Sequence, residues 1–228
     1  MVDILAFGTH PDDLEFGCGG ILAKMANQKK SIVMVDLTVG EKSSHGTPSE
    51  RRKEGEASAK LIGAKRVFLD FPDAEIYDTY EGRLKLVKVI REYKPKLILA
   101  PLWKGESNHP DHLACGMMAR AACRYARFSK ILPDLPTHRP EGILHYLGYN
   151  HDGLIDFLID ISDYADTWKK MMECFQTQMK TINYIDWNLR HASQLGVLIN
   201  KPYAQALTKG NPVEIDDLLT ISKATQEI

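Results

Sequence analysis

Near its start the chain carries Ile4-Leu5-Ala6-Phe7, apolar at every position, and comparable blocks recur through its first half. Apolar, β-rich runs lie at 3–8, 31–38, 66–70 and 96–101, separated by stretches with helical spacing at 19–28, 48–62 and 80–93. Unbroken apolar runs, rather than alternating ones, belong to strands buried on both faces. Strands that alternate with helices of this length predict βαβ crossovers and a parallel sheet covered on both sides. The second helix has a marked beginning, with Thr47 as N-cap, Pro48 in its first position and Glu50 three residues after the cap, and Gly63 marks its end. Further on, 113–128 reads as a helix and 132–140, with three prolines, as an exposed loop. Strands are expected at 143–149 and 154–161, a long helix from a Ser162 cap to about Met179, and a last helix at 184–198. The pattern predicts an α/β chain, a Rossmann-like three-layer fold with a mostly parallel sheet and a less regular C-terminal part. Residues 1–228 read as a single domain, with no repeat or linker.

Composition narrows the function without naming it. Hydrophobic residues make up 44% and charged residues 26% of the 228, an ordinary globular balance that leaves ample material for a core. A formal net charge of −1 gives no basic surface for nucleic acid or acidic membrane. No apolar stretch approaches the roughly 18–20 residues that cross a bilayer. Asp3 stands where a secretory leader would be basic, so a cytoplasmic protein is expected. Cys18, Cys115, Cys123 and Cys174 form no C-x-x-C pair and read as buried free thiols.

Chemistry concentrates where strands end. His10-Pro11-Asp12-Asp13 follows the first strand, and His109-Pro110-Asp111-His112 follows the run at 96–101. In an open parallel sheet, ligands bind outside the carboxyl ends of the strands, so loops leaving the four strands converge on one edge. Two clusters about a hundred residues apart thereby share a site. Imidazole and carboxylate without thiolate is the ligand set of a catalytic zinc site with an open position. We read His10, Asp13 and His112 as the metal ligands, leaving a place for a water whose pKa falls toward about 7. Two imidazoles favour zinc over magnesium. Asp12, beside a ligand, is the candidate general base, and His109 stabilises an oxyanion or protonates a leaving amine, with Asp111 orienting it. Arg51, in the first turn of the second helix, is placed to hold substrate.

Blander readings exist for each cluster. Asp12 and Asp13 are also suited to a helix N-terminus, and Asp111 to capping the helix that follows it. Their joint placement on exits of the same sheet favours the metal site. Gly17-Cys18-Gly19-Gly20 looks like a dinucleotide fingerprint, but Leu22 stands where the last glycine belongs. Its glycines then serve close packing, and Cys18 with them. His45, His138, His145, His151 and His191 have no partner at ligand spacing.

The segment Ala6-Phe7-Gly8-Thr9-His10-Pro11-Asp12-Asp13, continued by Glu15, Gly17 and Gly20, together with His109-Pro110-Asp111-His112, resembles the PIG-L/LmbE-type zinc N-acetylglucosamine deacetylases. Within that family, Asp36 through Glu41 and Gly46 through Arg51 resemble the bacterial enzymes of bacillithiol biosynthesis and their diacetylchitobiose-active relatives. The resemblance implies zinc on His10, Asp13 and His112, Asp12 as base, His109 in transition-state stabilisation and Arg51 in substrate binding. It also implies that Tyr184 reaches the site from the C-terminal region, and that the chain forms homo-oligomers, hexamers built of trimers. The activity it implies is deacetylation of a GlcNAc-containing small molecule, GlcNAc-malate ahead of diacetylchitobiose. A non-catalytic metal- or sugar-binding module is the competing class, and Asp12, which a metal does not need, argues against it. Three departures bear on the substrate. Asn108 replaces an arginine common in relatives, the loop from Trp103 to Ser107 is longer, and Tyr203-Ala204-Gln205-Ala206-Leu207 replaces a Tyr-Ala-Glu-x-Phe pattern.

Overall fold

The computed structural model describes residues 1–105, 109–147 and 155–209. Its strands are β1 (Val2–Gly8), β2 (Ile32–Asp36), β3 (Lys65–Phe68), β4 (Pro95–Pro101), β5 (Gly142–Tyr146), β6 (Phe157–Asp160) and β7 (Ala204–Thr208). They form one sheet in the order β3-β2-β1-β4-β5-β7-β6. The first five run parallel, while β7 is antiparallel to both β5 and β6. The α-helices among the described residues are α1 (Asp13–Asn27), α2 (Pro48–Leu61), α3 (Tyr80–Tyr93), α4 (Pro110–Tyr125), α5 (Ala165–Glu173) and α6 (Tyr184–Val197).

The apolar block of β1 is buried on both faces, as its composition required. Leu5 and Phe7 join the core under α3 and α4, with Leu86, Ile90 and Met118. Ile4 and Ala6 point the other way, into the core under α1, α5 and α6, with Leu22, Trp168 and Ala192. The strand period of two thus distributes four consecutive side chains between two cores. Chain direction then places the site. β1 is flanked by β2 on one side and β4 on the other, so the loops after β1 and β4 part at the point where strand order reverses. That crevice is where open α/β sheets bind ligands.

Several local expectations hold and others are corrected. Thr47 and Glu50 form the full capping box of α2, each side chain meeting the other residue's backbone amide. Residues 132–140 contain no helix or strand, and the buried Arg91 donates to the carbonyls of Leu132 and Leu135 there and of Ile131 just before them. Helix α1 begins at Asp13 rather than 19, because the glycines that blur its periodicity are packing positions. A Cβ on Gly17 would lie 2.5 Å from the Tyr146 ring, and the helix kinks at Cys18. The expected helix from Ser162 to Met179 is a 3-10 turn, the short α5 and a second 3-10 turn. It stops because Thr177 turns both its amide and its hydroxyl to the Glu54 carboxylate on α2, at 2.8 and 2.7 Å. Strand β7 was not expected at all. Its Ala-Gln-Ala-Leu-Thr has little β propensity, and it forms by pairing on both sides. Tyr149, His151, Leu154, Asn108 and part of the 103–107 loop lie outside the described residues. No helix among the described residues is long and apolar enough to cross a membrane.

Candidate metal centre

Backbone geometry at the end of β1 sets the first half of the site. Asp12 sits at φ 129°, a conformation rare for any residue but glycine. This turn lets Asp13 fold back as the first residue of α1, where its Oδ2 accepts from the amides of Thr9 and His10 at 2.9 and 2.8 Å. Asp13 Oδ1 is left facing His112 Nε2, 3.1 Å away, while His10 Nδ1 lies 3.5 Å from Asp13 Oδ2. One ligand atom from each of His10, Asp13 and His112 falls within 4.8 Å of the others. The three rings of His10, His109 and His112 stand 5.2–5.4 Å apart.

The second nitrogen of His10 tests whether this cluster suits a metal. Nε2 lies 3.0 Å from Asp73 Oδ1 and 3.4 Å from Asp111 Oδ2, which leaves Nδ1 for the cluster. A ligating histidine whose far nitrogen is held by a carboxylate is the usual outer arrangement of a metal site. Two imidazoles and one carboxylate, convergent and partly buried, fit a borderline divalent ion such as zinc. Asp73 went unassigned in the sequence. The only signal was that Phe71-Pro72-Asp73 leaves the third strand at the same edge.

Electrostatics divides the two carboxylates of the first cluster. Burial pushes the Asp12 carboxyl up to about 7 against the pull of the Arg51 guanidinium, with Asp13 adding to the rise. Asp13 is equally buried, yet His112 and His10 hold it well below the usual carboxylate range. Burial alone would lower His10, but its bonds to Asp13 and Asp73 raise it to about 11. His112 is likewise raised, the Asp13 charge overcoming burial. These raised imidazoles carry protons that a metal would displace. His109 goes the other way, lowered by burial and then by His112 and His10.

The remaining sequence candidates fall into place around this core. His109 is the N-cap of α4, its Nδ1 accepting from the Asp111 amide at 3.2 Å. That bond puts the ring proton on Nε2. The orientation expected from Asp111 therefore comes from its backbone amide. Its carboxylate instead accepts from Ala74 N at 2.9 Å and meets His10. Arg51 is only 2% exposed, with Nη2 on the Pro11 carbonyl and 3.3 Å from Asp12 Oδ2. It braces Asp12. Tyr184, at the start of α6, stacks on Phe16 at 5.1 Å and borders the cavity next to the His/Asp cluster. Beneath the site, Arg66 is enclosed between Glu15 and Asp36, at 2.5 and 2.6 Å.

A cavity of about 340 Å³ extends from Asp12, Asp13, His109 and His112 to α6 and β7. Its far walls, including Asn188, His191, Leu195 and Gln205, come from the C-terminal part of the chain. Of these, the sequence singles out Gln205, as a departure from a pattern, and His191, as a histidine with no partner at ligand spacing; Asn188 and Leu195 carry no such signal.

Residues 5–123 match the family model described as PIG-L, GlcNAc-PI de-N-acetylase. The chain is similar to the diacetylchitobiose deacetylase of Thermococcus kodakarensis, 30% identical over 189 residues, which are 77% of this chain and 69% of that protein. It is 28% identical over 199 residues to "Probable N-acetyl-alpha-D-glucosaminyl L-malate deacetylase 2" of Bacillus subtilis, covering 77% of this chain and 82% of the other. Among solved structures, a conserved protein from Thermus thermophilus superposes with a TM-score of 0.87 at 34% identity, over 94% of this chain and 97% of that one.

Proposed function

The chain belongs to the PIG-L family of GlcNAc-PI de-N-acetylases, and on that premise we propose that it removes the N-acetyl group from a GlcNAc-containing small molecule, using zinc held by His10, Asp13 and His112. The observation that carries this reading is the split between adjacent carboxylates. Asp13 is committed to the ligand cluster, while Asp12 lies outside it, buried, with its carboxyl raised to about 7.

Zinc, which His10, Asp13 and His112 would hold, would supply Lewis acidity toward the amide and make the attacking water more acidic. Asp12 takes the proton of the attacking water. A base working near neutrality needs a pKa close to the ambient pH, and burial gives Asp12 that. Arg51 holds the Asp12 carboxylate in place from behind. His109, neutral and carrying its proton on Nε2, donates to the developing oxyanion; a proton must then reach the nitrogen for the amine to leave. Asp73 and Asp111 fix the ring of His10.

GlcNAc-malate, the substrate of a bacillithiol pathway, and diacetylchitobiose both carry the sugar amide this reading requires, and relatives named for each are similar to this chain. The test is metal analysis of the purified protein coupled to acetate release from the two substrates. One zinc per chain and turnover of either supports the reading, and the faster substrate names the role. Bound zinc with no acetate released from any GlcNAc conjugate would favour a non-catalytic sugar-binding module instead.

A further inference from the structure

The stretch Gly17-Cys18-Gly19-Gly20 is not a regular helix. Cys18 stands at φ −148° and ψ 16°, outside helical geometry, so α1 kinks there. Helices kink where a side chain enters their hydrogen-bond ladder. Here that side chain is the indole of Trp168, on α5. It is 1% exposed and donates from Nε1 to the Glu15 carbonyl at 2.7 Å. Gly19 makes the approach possible, since a Cβ there would stand 2.7 Å from Trp168 Cδ1.

The kink sets the first turn, 13–17, apart from the rest of α1, and that turn carries chemistry. Asp13, one of the candidate metal ligands, is its first residue, and Asp12 precedes it. Three elements grip the turn at Glu15. Its carboxylate accepts from Ser58 Oγ on α2 at 2.6 Å and from Arg66 on β3, while its carbonyl accepts from Trp168. The carboxylate bonds act through a flexible side chain. The indole bond acts on the backbone itself, two residues from Asp13. A metal site keeps its affinity only while its ligands are held in place, and partners that merely orient ligands are worth about 10–100-fold in binding.

We propose that Trp168 is a positioning residue for metal binding: by holding the Glu15 carbonyl, its indole N–H sets the turn that presents Asp13 to His10 and His112. The inference rests on the metal reading above and adds a residue from an element that carries no ligand. Trp168 also borders the cavity. Turnover would therefore mix positioning with substrate contact, whereas zinc affinity measured without substrate reads positioning alone.

The experiment measures the zinc dissociation constant of the full chain by competition with a chelator, together with the visible spectrum of the cobalt-substituted protein. Trp168→Phe keeps an aromatic ring against Gly19 and removes the donor. Its Kd for zinc should rise about tenfold or more, and its cobalt bands should shift. Met171→Ala is the control. Met171 is fully buried in the same core and takes no part in the bond. That variant should melt lower than wild type and keep its zinc affinity and cobalt spectrum. If Trp168→Phe does not fold, Gly19→Ala carries the same expectation, because its methyl displaces the indole from the α1 side. A folded Trp168→Phe with wild-type zinc affinity and cobalt spectrum overturns the inference and leaves the deacetylase reading standing. An equal loss of affinity in Met171→Ala overturns it too, since general loosening of the core would then suffice. A wild type that binds no zinc overturns both.

Discussion

Asp12→Asn isolates proton transfer from metal binding. The side chain keeps its shape, and the amide oxygen still accepts from Arg51 Nη2, which stands 3.3 Å from Asp12 Oδ2 and also donates to the Pro11 carbonyl. Asparagine tolerates positive φ better than most residues, so the turn at φ 129° survives. The three ligand residues are untouched. Zinc content should therefore stay at one per chain, and stability should fall by no more than about 1–2 kcal/mol, the difference between a charged and a neutral hydrogen bond to Arg51. What disappears is the base. General base catalysis contributes roughly 10²–10⁴ in rate, about 3–5 kcal/mol of barrier. The wild type should also lose kcat/KM as pH falls and Asp12 takes a proton, and that acid limb should be absent from the variant's residual rate. The measurements are elemental analysis and acetate release on the same preparation. A variant with full zinc and a rate within fivefold of wild type would refute the assignment, and a variant that loses its zinc would refute the division between Asp12 and Asp13.

Two further perturbations address the scaffold. Arg66→Met leaves Glu15 and Asp36 buried without their cation, where burial already holds Asp36 up at about 6 with Arg66 opposing the rise. Removing one partner of such a set costs about 3–5 kcal/mol. Carboxylates with raised folded-state pKa values lose stability as pH rises, so urea unfolding should show a larger deficit at pH 8 than at pH 5, and a deficit below about 1 kcal/mol at pH 8 contradicts the account. His145 is fully buried, its Nδ1 2.7 Å from the Pro101 carbonyl, and burial lowers it from 6.5 to about 4. The unfolded chain therefore takes up a proton below pH 6.5 that the folded chain refuses until about 4. Stability should fall across that window by about 3 kcal/mol, and His145→Asn, which keeps a donor but does not titrate, should flatten the loss. An unchanged slope would show that His145 is not its source.

Much of this protein could be read along the chain because the responsible interactions are local. Apolar runs and capping residues specify β1 through α4, and the parallel order of those strands follows from their crossovers. The convergence of the candidate ligands was legible for the same reason, since strand direction alone sends His10-Pro11-Asp12-Asp13 and His109-Pro110-Asp111-His112 to one edge. Where an element is held by distant partners, the local pattern misleads. β7 has weak strand propensity and exists through pairing with β5 and β6, α5 ends because Thr177 turns to Glu54, and the glycines of α1 are spaced for Tyr146, Trp168 and Ile161 rather than for a helix face. The same holds within the site. Sequence supplied the residue types, His, Asp and Asp, that suit a metal and a base. The sequence already assigns Asp13 to the ligands and Asp12 to the base; the tertiary structure supplies the physical difference, turning one backbone at φ 129°, bracing one carboxylate with Arg51 and surrounding the other with imidazoles. It also put Asp73 on His10 and a chamber between α6 and β7. Ligand chemistry belongs to a side chain and can be read one residue at a time. Burial, field and free volume belong to the neighbours that folding brings together.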